Sequence, residues 1–450
     1  MNKNNVLENK SISKLIFIFA IPSICSLLLE SVASMIDTVF AGHLGAISAN
    51  ALTAMGILNP ILSLLIAAQL VFGVSTSIVI AKGLGEDNKG KVNNAFKVGL
   101  YSSFIFSFTI SLIIFIFQGK LLDILGANGQ VRRLAKEYLN IAIIFNIFSS
   151  TGYTLVNNIR AFGYPKIEIM VVVSATAINV LFNTIFTFGM DMGIRGIALA
   201  TLISEIYYLS SSAIFLMKKN LWIKKSTLSV NEVKSILLSL VKIGFVQFLM
   251  QALSSLTAFI INNRLMTYAS IIYIGVWAIC SNIHTVIILP LIGLTQGIQS
   301  IIAYYQGSKD ENRKNEAKMK AIKYSLIYSI SATILVGLFA DKFVSIFTPN
   351  LDFINLAIPI VRIMFLGFPF MGVVYTLITF MQVSDNEKNA IILGMTRQMG
   401  VFIPLVIILP IIFSKYNIMN IPPGMSIFIA IPLSDVGAFI VGIYLSRRCI

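Results

Sequence analysis

Four carboxylates of this chain lie within long apolar stretches: Glu30, Asp37, Glu205 and Asp435. An ionisable side chain inside a lipid bilayer is costly to bury, so its presence there indicates a functional site. Glu30 and Asp37 are seven residues apart, which is two turns of a helix, and they would share one helix face. A carboxylate that faces a cavity there could exchange a proton or Na⁺. The pattern therefore predicts a cation-coupling site around Asp37.

Three of these carboxylates, and one histidine, also have a purely structural explanation. Asp37 could be a helix-end carboxylate in headgroup water, and Glu30 could be a buried acid satisfied by Ser or Asn side chains. Asp435 follows Pro432 and could be a helix cap or an interfacial acid. His284 lies in a later apolar stretch, where a hydrogen-bonded interior histidine is the alternative to a titrating relay.

Amide and hydroxyl side chains recur near these acids with helical spacing. Asn179 and Asn183 are one turn apart and share a face, Thr201 lies on the next apolar segment, and Asn157 lies near the end of the preceding one. Grouped with Asp37, these side chains would form an oxygen-rich pocket suited to a hard cation or a proton. The alternative is that the buried amides only join neighbouring helices.

Membrane-spanning helices are the elements that must position these side chains. The chain has 450 residues, of which 57% are hydrophobic and 12% charged, whereas a soluble domain carries about 25% charged residues. A spanning helix needs about 20 apolar residues. We therefore predict an all-α polytopic membrane protein with twelve transmembrane helices, over residues 13–40, 50–80, 97–118, 137–160, 167–189, 194–217, 236–264, 270–303, 321–340, 355–382, 389–413 and 425–446.

The two halves of the chain resemble each other. A constant offset of 222 residues pairs the loop Gly85–Lys89 with Gly307–Glu311 and keeps the charged loops in register from the first helix to the fifth. Six helices return the chain to the same side, so the repeats would be parallel, an arrangement found among transporters. We predict two six-helix lobes, residues 1–217 and 236–450, joined by a cytoplasmic linker over residues 218–235.

The basic residues predict the orientation. With the N-terminus inside, 25 of the 34 Lys and Arg residues fall on the cytoplasmic side, as the positive-inside rule requires. Both termini are then cytoplasmic. The apolar run from Leu15 continues to Leu44 without an A-x-A-like cleavage site, so we expect the first helix to stay uncleaved. The net charge of +15 indicates loops lying against anionic lipid rather than nucleic-acid binding. The Asn-, Ile- and Lys-rich composition is typical of an AT-rich bacterial genome, so we expect a bacterial cell membrane.

Several protein classes are disfavoured. Cys25, Cys280 and Cys449 are too few and too scattered for a disulfide framework, and two histidines disfavour a metal site. The sequence has no G-x-x-x-x-G-K-[ST], H-E-x-x-H or G-x-S-x-G motif, which argues against an ATP-driven pump and against a membrane-embedded enzyme. A channel would need a filter signature, and none is evident. We expect no cofactor beyond a coupling ion, and a monomer that contacts membrane lipids and small substrates.

Five motifs occur in a specific order along the chain: Asp37–Gly45 (DTVFAGHLG), Lys82–Asp87 (KGLGED), Asn157–Pro165 (NNIRAFGYP), Met192–Thr201 (MGIRGIALAT) and Pro290–Gly297 (PLIGLTQG). The first is similar to the D-T-x-F-x-G-x-L-G of the multidrug and toxin extrusion (MATE) transporters. The third and fourth resemble that family's N-x-x-R-A-x-G-x-P and M-G-I-x-G-A-A-L-A-T. The resemblance covers essentially the whole chain.

The resemblance implies antiport of amphipathic organic cations against H⁺ or Na⁺ by alternating access. It puts Asp37 at the centre of the N-terminal lobe and carries a coupling role onto Asn179, Thr201 and Asn157.

The chain departs from the family pattern at Asn183, where many members have Asp. The missing charge disfavours Na⁺ chelation and favours Asp37 as a proton carrier, with Glu30 or Glu205 as possible compensating acids. Acids that some members use in the C-terminal lobe are also missing, which argues against a second cation site unless Asp435 supplies it.

The alternative within the same broad superfamily is a flippase for lipid-linked saccharides. It would need a charged, often Arg-lined cavity for a diphosphate, and Arg362 is the best candidate for that role. We expect Arg397 and Gln398 to reach the cytoplasmic interface by extending along their helix.

Overall fold

The computed structural model describes residues 10–269, 271–348, 350–416 and 422–447, and every regular element in these ranges is a helix. A 3₁₀ turn (Gly45–Ile47) precedes the second helix, and two π-helical segments, Ile185–Gly189 and Thr396–Phe402, continue the fifth and twelfth. The α-helices are α1 (Ile12–Gly42), α2 (Ser48–Gly85), α3 (Lys89–Ile124), α4 (Gly129–Ala161), α5 (Pro165–Thr184), α6 (Gly193–Lys218), α7 (Val230–Tyr268), α8 (Ile271–Ser308), α9 (Glu311–Ser345), α10 (Leu351–Phe365), α11 (Phe368–Val383), α12 (Glu387–Met395), α13 (Ile403–Tyr416) and α14 (Pro423–Arg447).

The predicted polytopic helical architecture is confirmed. In the described part of the chain, 11 helical segments are long and apolar enough to cross a membrane, and the bent pair α10 and α11 brings the number to 12. Helices are the expected solution, because the hydrocarbon region offers no water to satisfy backbone N–H and C=O groups.

Individual residues explain where several helices begin or end. The side chain of Asn88 accepts a hydrogen bond of 2.9 Å from the backbone N–H of Lys91 and caps the start of α3. Pro165 occupies the first turn of α5, a position where its missing N–H costs nothing. Gly163 has a φ of +90° and supplies the tight turn that ends α4.

The tenth predicted span is broken rather than continuous. Helices α10 and α11 meet at a bend of 45° around Gly367. A Cβ atom at this glycine would lie 2.6 Å from Oδ2 of Asp435 and 2.7 Å from Cα of Pro432. The bend therefore depends on a residue without a side chain, because α14 packs directly against the backbone there.

One compact unit contains the residues up to Phe248 together with Ala303–Asp310. Within it, a stripe of serines on α3 faces polar side chains of α4. Ser103 Oγ lies 3.2 Å from Ser150 Oγ, and Asn146 Nδ2 donates to Ser111 Oγ at 3.0 Å. Small residues let membrane helices pack closely, and small polar side chains can also form hydrogen bonds between the helices.

A second compact unit contains Leu249–Ile302 and the residues from Glu311 onward. Its core contains the fully buried rings of Phe365, Phe368 and Phe428. The predicted lobe boundaries at residues 217 and 236 stay a prediction.

Candidate functional site

Asp37 lies near the end of α1 and is only 7% exposed. Its carboxylate accepts a hydrogen bond of 2.8 Å from Nδ2 of Asn183 and one of 3.0 Å from Oγ1 of Thr201. Three helices, α1, α5 and α6, thus converge on one carboxylate. A buried acid needs such donors, because burial without hydrogen bonds costs several kcal/mol.

The donors are themselves linked into a network. Asn183 Nδ2 also donates to Oδ1 of Asn179 at 3.0 Å, and Asn179 Nδ2 donates to Oγ1 of Thr201 at 3.2 Å. The one-turn spacing of the two asparagines places both amides on the face of α5 that meets α6. The structure therefore brings together four of the five side chains that the sequence assigned to the cation site.

The backbone changes helix type directly beyond this network. Helix α5 ends at Thr184, one residue after Asn183, and a π-helical segment, Ile185–Gly189, follows. In it the N–H of Met190 reaches the carbonyl of Ile185 at 2.9 Å. Wide turns of this kind occur frequently at functional sites.

The electrostatics of the site are those of an unneutralised acid. Among the described residues, the partners of Asp37 are the neutral side chains of Asn183, Thr201 and Asn179, and no Lys or Arg forms an ion pair with it. Oδ1 of Asn183 is buried and has no hydrogen-bond partner within the described ranges. Carboxylate, amide and hydroxyl oxygens are the ligand types of hard cations, and a single carboxylate can also carry a proton. The arrangement can therefore hold either.

Asn157 lies in a different cluster and does not contact Asp37. Its Nδ2 donates to the carbonyl of Tyr153 at 2.8 Å, and its Oδ1 accepts from the guanidinium of Arg160. Arg160 Nη1 pairs with Glu168 Oε1 at 2.8 Å and also donates to Ser23 Oγ at 3.1 Å. The predicted grouping of Asn157 with Asp37 is thus not seen, because the side chain of Asn157 bonds to Arg160, which pairs with Glu168 of the next helix.

The sequence named two further candidate acids in this unit, Glu30 and Glu205. Glu30 is exposed on α1, and Glu205 on α6 is half-buried with Oε2 lacking a hydrogen-bond partner among the described residues. Glu205 is within electrostatic range of both Glu30 and Asp37.

In the second unit, Asp435 is 1% exposed and forms an ion pair of 2.8 Å with Nε of Arg397. The prediction that Arg397 reaches the membrane interface is wrong, because this ion pair holds its guanidinium inside the unit. Gln398 is also buried, and its Nε2 donates to Ser254 Oγ at 3.2 Å. His284 packs beside aromatic rings, 5.9 Å from that of Phe365.

Two buried ion pairs, Arg160 with Glu168 and Arg397 with Asp435, were not recognised from the sequence. Arg160 is the last residue of the predicted span 137–160, and Arg397 lies in the first half of the predicted span 389–413. A weak signal was present for the first pair, since Arg160 and Glu168 flank the turn at Gly163 and so emerge on adjacent helices. Within the described residues, no group of three or more His, Cys, Asp or Glu side chains converges.

Comparisons with known proteins agree with this architecture. A family profile described as MatE matches residues 22–185 and again 245–408, so the same pattern occurs once in each half. Multidrug export protein MepA of Staphylococcus haemolyticus (strain JCSC1435) is 25% identical over 90% of this chain and 89% of its own length. The protein of the same name from Staphylococcus aureus (strain MSSA476) is 23% identical over 98% of this chain and 95% of its own length.

Solved structures give the same result for the fold. An outward-facing multidrug resistance MATE family transporter of the MOP superfamily aligns with a TM-score of 0.89 at 21% identity, over 100% of this chain and 98% of that one. A MOP superfamily transporter from Pyrococcus furiosus aligns with a TM-score of 0.88 at 20% identity, with the same coverage. These likenesses show the fold, two lobes of six helices each. With the repeated profile match, they establish that this chain belongs to the MatE family, the multidrug and toxin extrusion transporters.

Proposed function

We propose that this protein is a secondary active antiporter that exports amphipathic organic cations across a bacterial cell membrane in exchange for H⁺ or Na⁺. The observation that carries the proposal is the Asp37 carboxylate, which is buried among neutral donors and has no cationic side chain paired with it in the described structure. An uncompensated buried charge is unfavourable. Binding of a cation or a proton removes that cost. The affinity of Asp37 for the cation or proton therefore depends on the conformation of the helices that surround it.

Alternating access converts this linkage into transport. A ligand shifts a conformational equilibrium only by its difference in affinity for the two states. Asp37 receives donors from α5 and α6, so any rearrangement of these helices changes its affinity for a cation. Of the two candidate ions we favour H⁺, because Asn183 offers an amide where a second carboxylate would strengthen Na⁺ binding.

The substrate class follows from the relatives and from the chain's composition. The Staphylococcus proteins carry the name multidrug export protein, and this chain has 17 Met and 32 Phe residues. Methionine and aromatic side chains suit adaptable cavities for hydrophobic cations. The proposal includes cytoplasmic termini, a cytoplasmic linker over residues 218–235 that joins the two lobes along the chain, and a monomer.

The flippase alternative is less well supported by the arginines. Two arginines in spans, Arg160 and Arg397, are paired with acids. Arg362, the candidate for diphosphate binding, is exposed and donates to the carbonyl of Gly337 at 3.0 Å. None of the three offers an unneutralised guanidinium cluster.

The test is efflux of a fluorescent organic cation from proteoliposomes. An imposed pH gradient and an imposed Na⁺ gradient are applied in turn to the wild type, to Asp37→Asn and to Asp341→Asn. Asp341 is an exposed residue of α9 and provides the same chemical change away from the network. We expect the pH gradient to drive efflux in the wild type and in Asp341→Asn, and Asp37→Asn to abolish it.

Three results would count against the proposal. Efflux by Asp37→Asn at the wild-type rate would remove Asp37 from the coupling mechanism. Efflux driven by Na⁺ alone would overturn the preference for H⁺. If neither gradient moves any of several cations, the antiporter assignment fails and the flippase alternative takes its place.

A further inference from the structure

Two cavities open along the same helix of the first unit. The first, of about 380 Å³, is lined by Lys97 and Tyr101 of α3 and by Trp222, Lys224 and Lys225 of the segment after α6. Its lining contains three lysines and no Asp or Glu. It is therefore a positively charged pocket with aromatic walls.

The segment that carries two of these lysines is fixed to α3 by hydrogen bonds. The side chain of Asn93 accepts from the backbone N–H of Lys224 at 2.7 Å and donates to its carbonyl at 3.1 Å. Lys97 Nζ donates to the carbonyl of Ser226 at 2.8 Å. The ring of Trp222 packs against that of Phe96 at 5.7 Å between centroids. The pocket is thus held in place before any ligand arrives.

The second cavity, of about 490 Å³, is almost wholly apolar. Ile105, Phe106 and Thr109 of α3 form one wall, and Val241 and Phe245 of α7 form part of the opposite wall. Ile105 and Phe245 are exposed. Its lining suits a hydrocarbon chain.

One face of α3 connects the two cavities. Lys97, Tyr101, Ile105 and Thr109 follow one another at intervals of four residues, so they form a single ridge along the helix. At 1.5 Å per residue, the ridge extends about 18 Å from Lys97 to Thr109. Half of the hydrocarbon thickness of a bilayer is about 15 Å, so a ridge of this length is long enough to reach from the headgroups to the middle of a membrane.

We propose that these two cavities form one binding site for an anionic phospholipid. The phosphate lies among Lys97, Lys224 and Lys225, the glycerol region lies beside Trp222, and one acyl chain occupies the apolar cavity beyond Tyr101. Basic pockets between transmembrane helices recognise anionic headgroups, and aromatic rings are enriched at that depth. The lysines repel an organic cation, so the site is separate from the transport substrate, and it lies on the side predicted to face the cytoplasm.

The two tryptophans of the chain, Trp222 and Trp277, provide the assay. A Trp277→Phe background leaves Trp222 as the reporter inside the pocket. The protein is reconstituted in phosphatidylcholine vesicles that contain a minor fraction of either brominated phosphatidylglycerol or brominated phosphatidylcholine, with the bromines near the headgroup. We expect brominated phosphatidylglycerol to quench Trp222 at a lower mole fraction than brominated phosphatidylcholine.

The charge is tested with matched double variants. Neutralising Lys224 and Lys225 to Gln should weaken the preference for the anionic lipid about fivefold for each lysine, since one basic residue near an anionic surface contributes about that factor. Neutralising Lys89 and Lys166, which are exposed and lie outside the cavity, removes the same charge and should leave the preference unchanged.

Each contrary outcome overturns the proposal. Equal quenching by the two lipids in the wild-type pocket would show ordinary contact with surrounding lipid. An equal loss of preference in the two double variants would show a general surface effect. Release of the quenching by inorganic phosphate would show a site for a soluble anion instead. If the double variant does not fold, the proposal is still tested by comparing how the two brominated lipids quench Trp222 in the pocket with all its lysines present. The assay measures binding alone, so its outcome is independent of the antiport test.

Discussion

Removing the negative partner of Arg160 should destabilise the first unit strongly. Arg160 and Glu168 are 1% and 3% exposed and are joined at 2.8 Å. In Glu168→Gln the buried guanidinium loses its ion-pair partner, and breaking a buried pair costs about 3–5 kcal/mol. An exposed pair of similar length, Lys91 with Glu86 at 2.6 Å, should cost only about 0.2–1 kcal/mol when broken.

Thermal unfolding in one detergent measures the difference. In the Trp277→Phe background, Trp222 fluorescence reports on the first unit. For a unit of this size, about 2–4 °C is lost per kcal/mol, so the melting temperature of Glu168→Gln should fall by about 6–20 °C. That of Glu86→Gln should fall by at most about 4 °C.

A double variant separates lost charge balance from lost packing. Arg160→Met combined with Glu168→Leu replaces the pair with apolar side chains of similar size, which is often neutral or stabilising. It should therefore recover most of the loss seen in Glu168→Gln. The reasoning is refuted if Glu168→Gln and Glu86→Gln have the same melting temperature. It is also refuted if the double variant is less stable than Glu168→Gln.

Two further substitutions test the cation site and the broken span. Asn183→Asp would place a second carboxylate within hydrogen-bonding distance of Asp37. Two carboxylates this close must share a proton or bind a metal cation between them. We expect efflux to become stimulated by Na⁺, and an unchanged response to the two gradients would contradict this. Gly367→Ala introduces a Cβ 2.7 Å from Cα of Pro432 and should lower the stability of the second unit by about 1–3 kcal/mol. In the control variant Gly337→Ala, the new Cβ meets no atom within 4 Å. The melting temperature of the second unit should then stay nearly unchanged.

The sequence predicts much of the cation site, because helical spacing alone decides which side chains share a face. Asn179 and Asn183 are one turn apart, and the structure places both amides where they meet Thr201 and Asp37. The coupling role of these residues stays a prediction. The spacing of residues does not show which helix this face contacts, because a helix face can be turned toward any neighbouring helix.

The buried ion pairs show this limit most clearly. Arg397 and Asp435 are 38 residues apart on different helices, and no local pattern relates them. An arginine in a span can extend to water or form an ion pair inside the protein. The residues around it in the sequence look the same in both cases, so the sequence does not distinguish them. The bend at Gly367 was missed for a related reason, because residues 355–382 are apolar on both sides of it.

The two π-helical segments bear on how the halves diverged. The 222-residue offset that aligns the loops would carry Ile185–Gly189 onto residues 407–411, which are α-helical, whereas the second segment lies at Thr396–Phe402. A wide turn holds one more residue than an ordinary turn and can arise from a single insertion. The two wide turns therefore lie at different places in the two halves, one beside Asn183 and the other around Arg397. The repeat holds for the loops and the helix order, whereas the backbone geometry beside the buried polar groups differs between the halves.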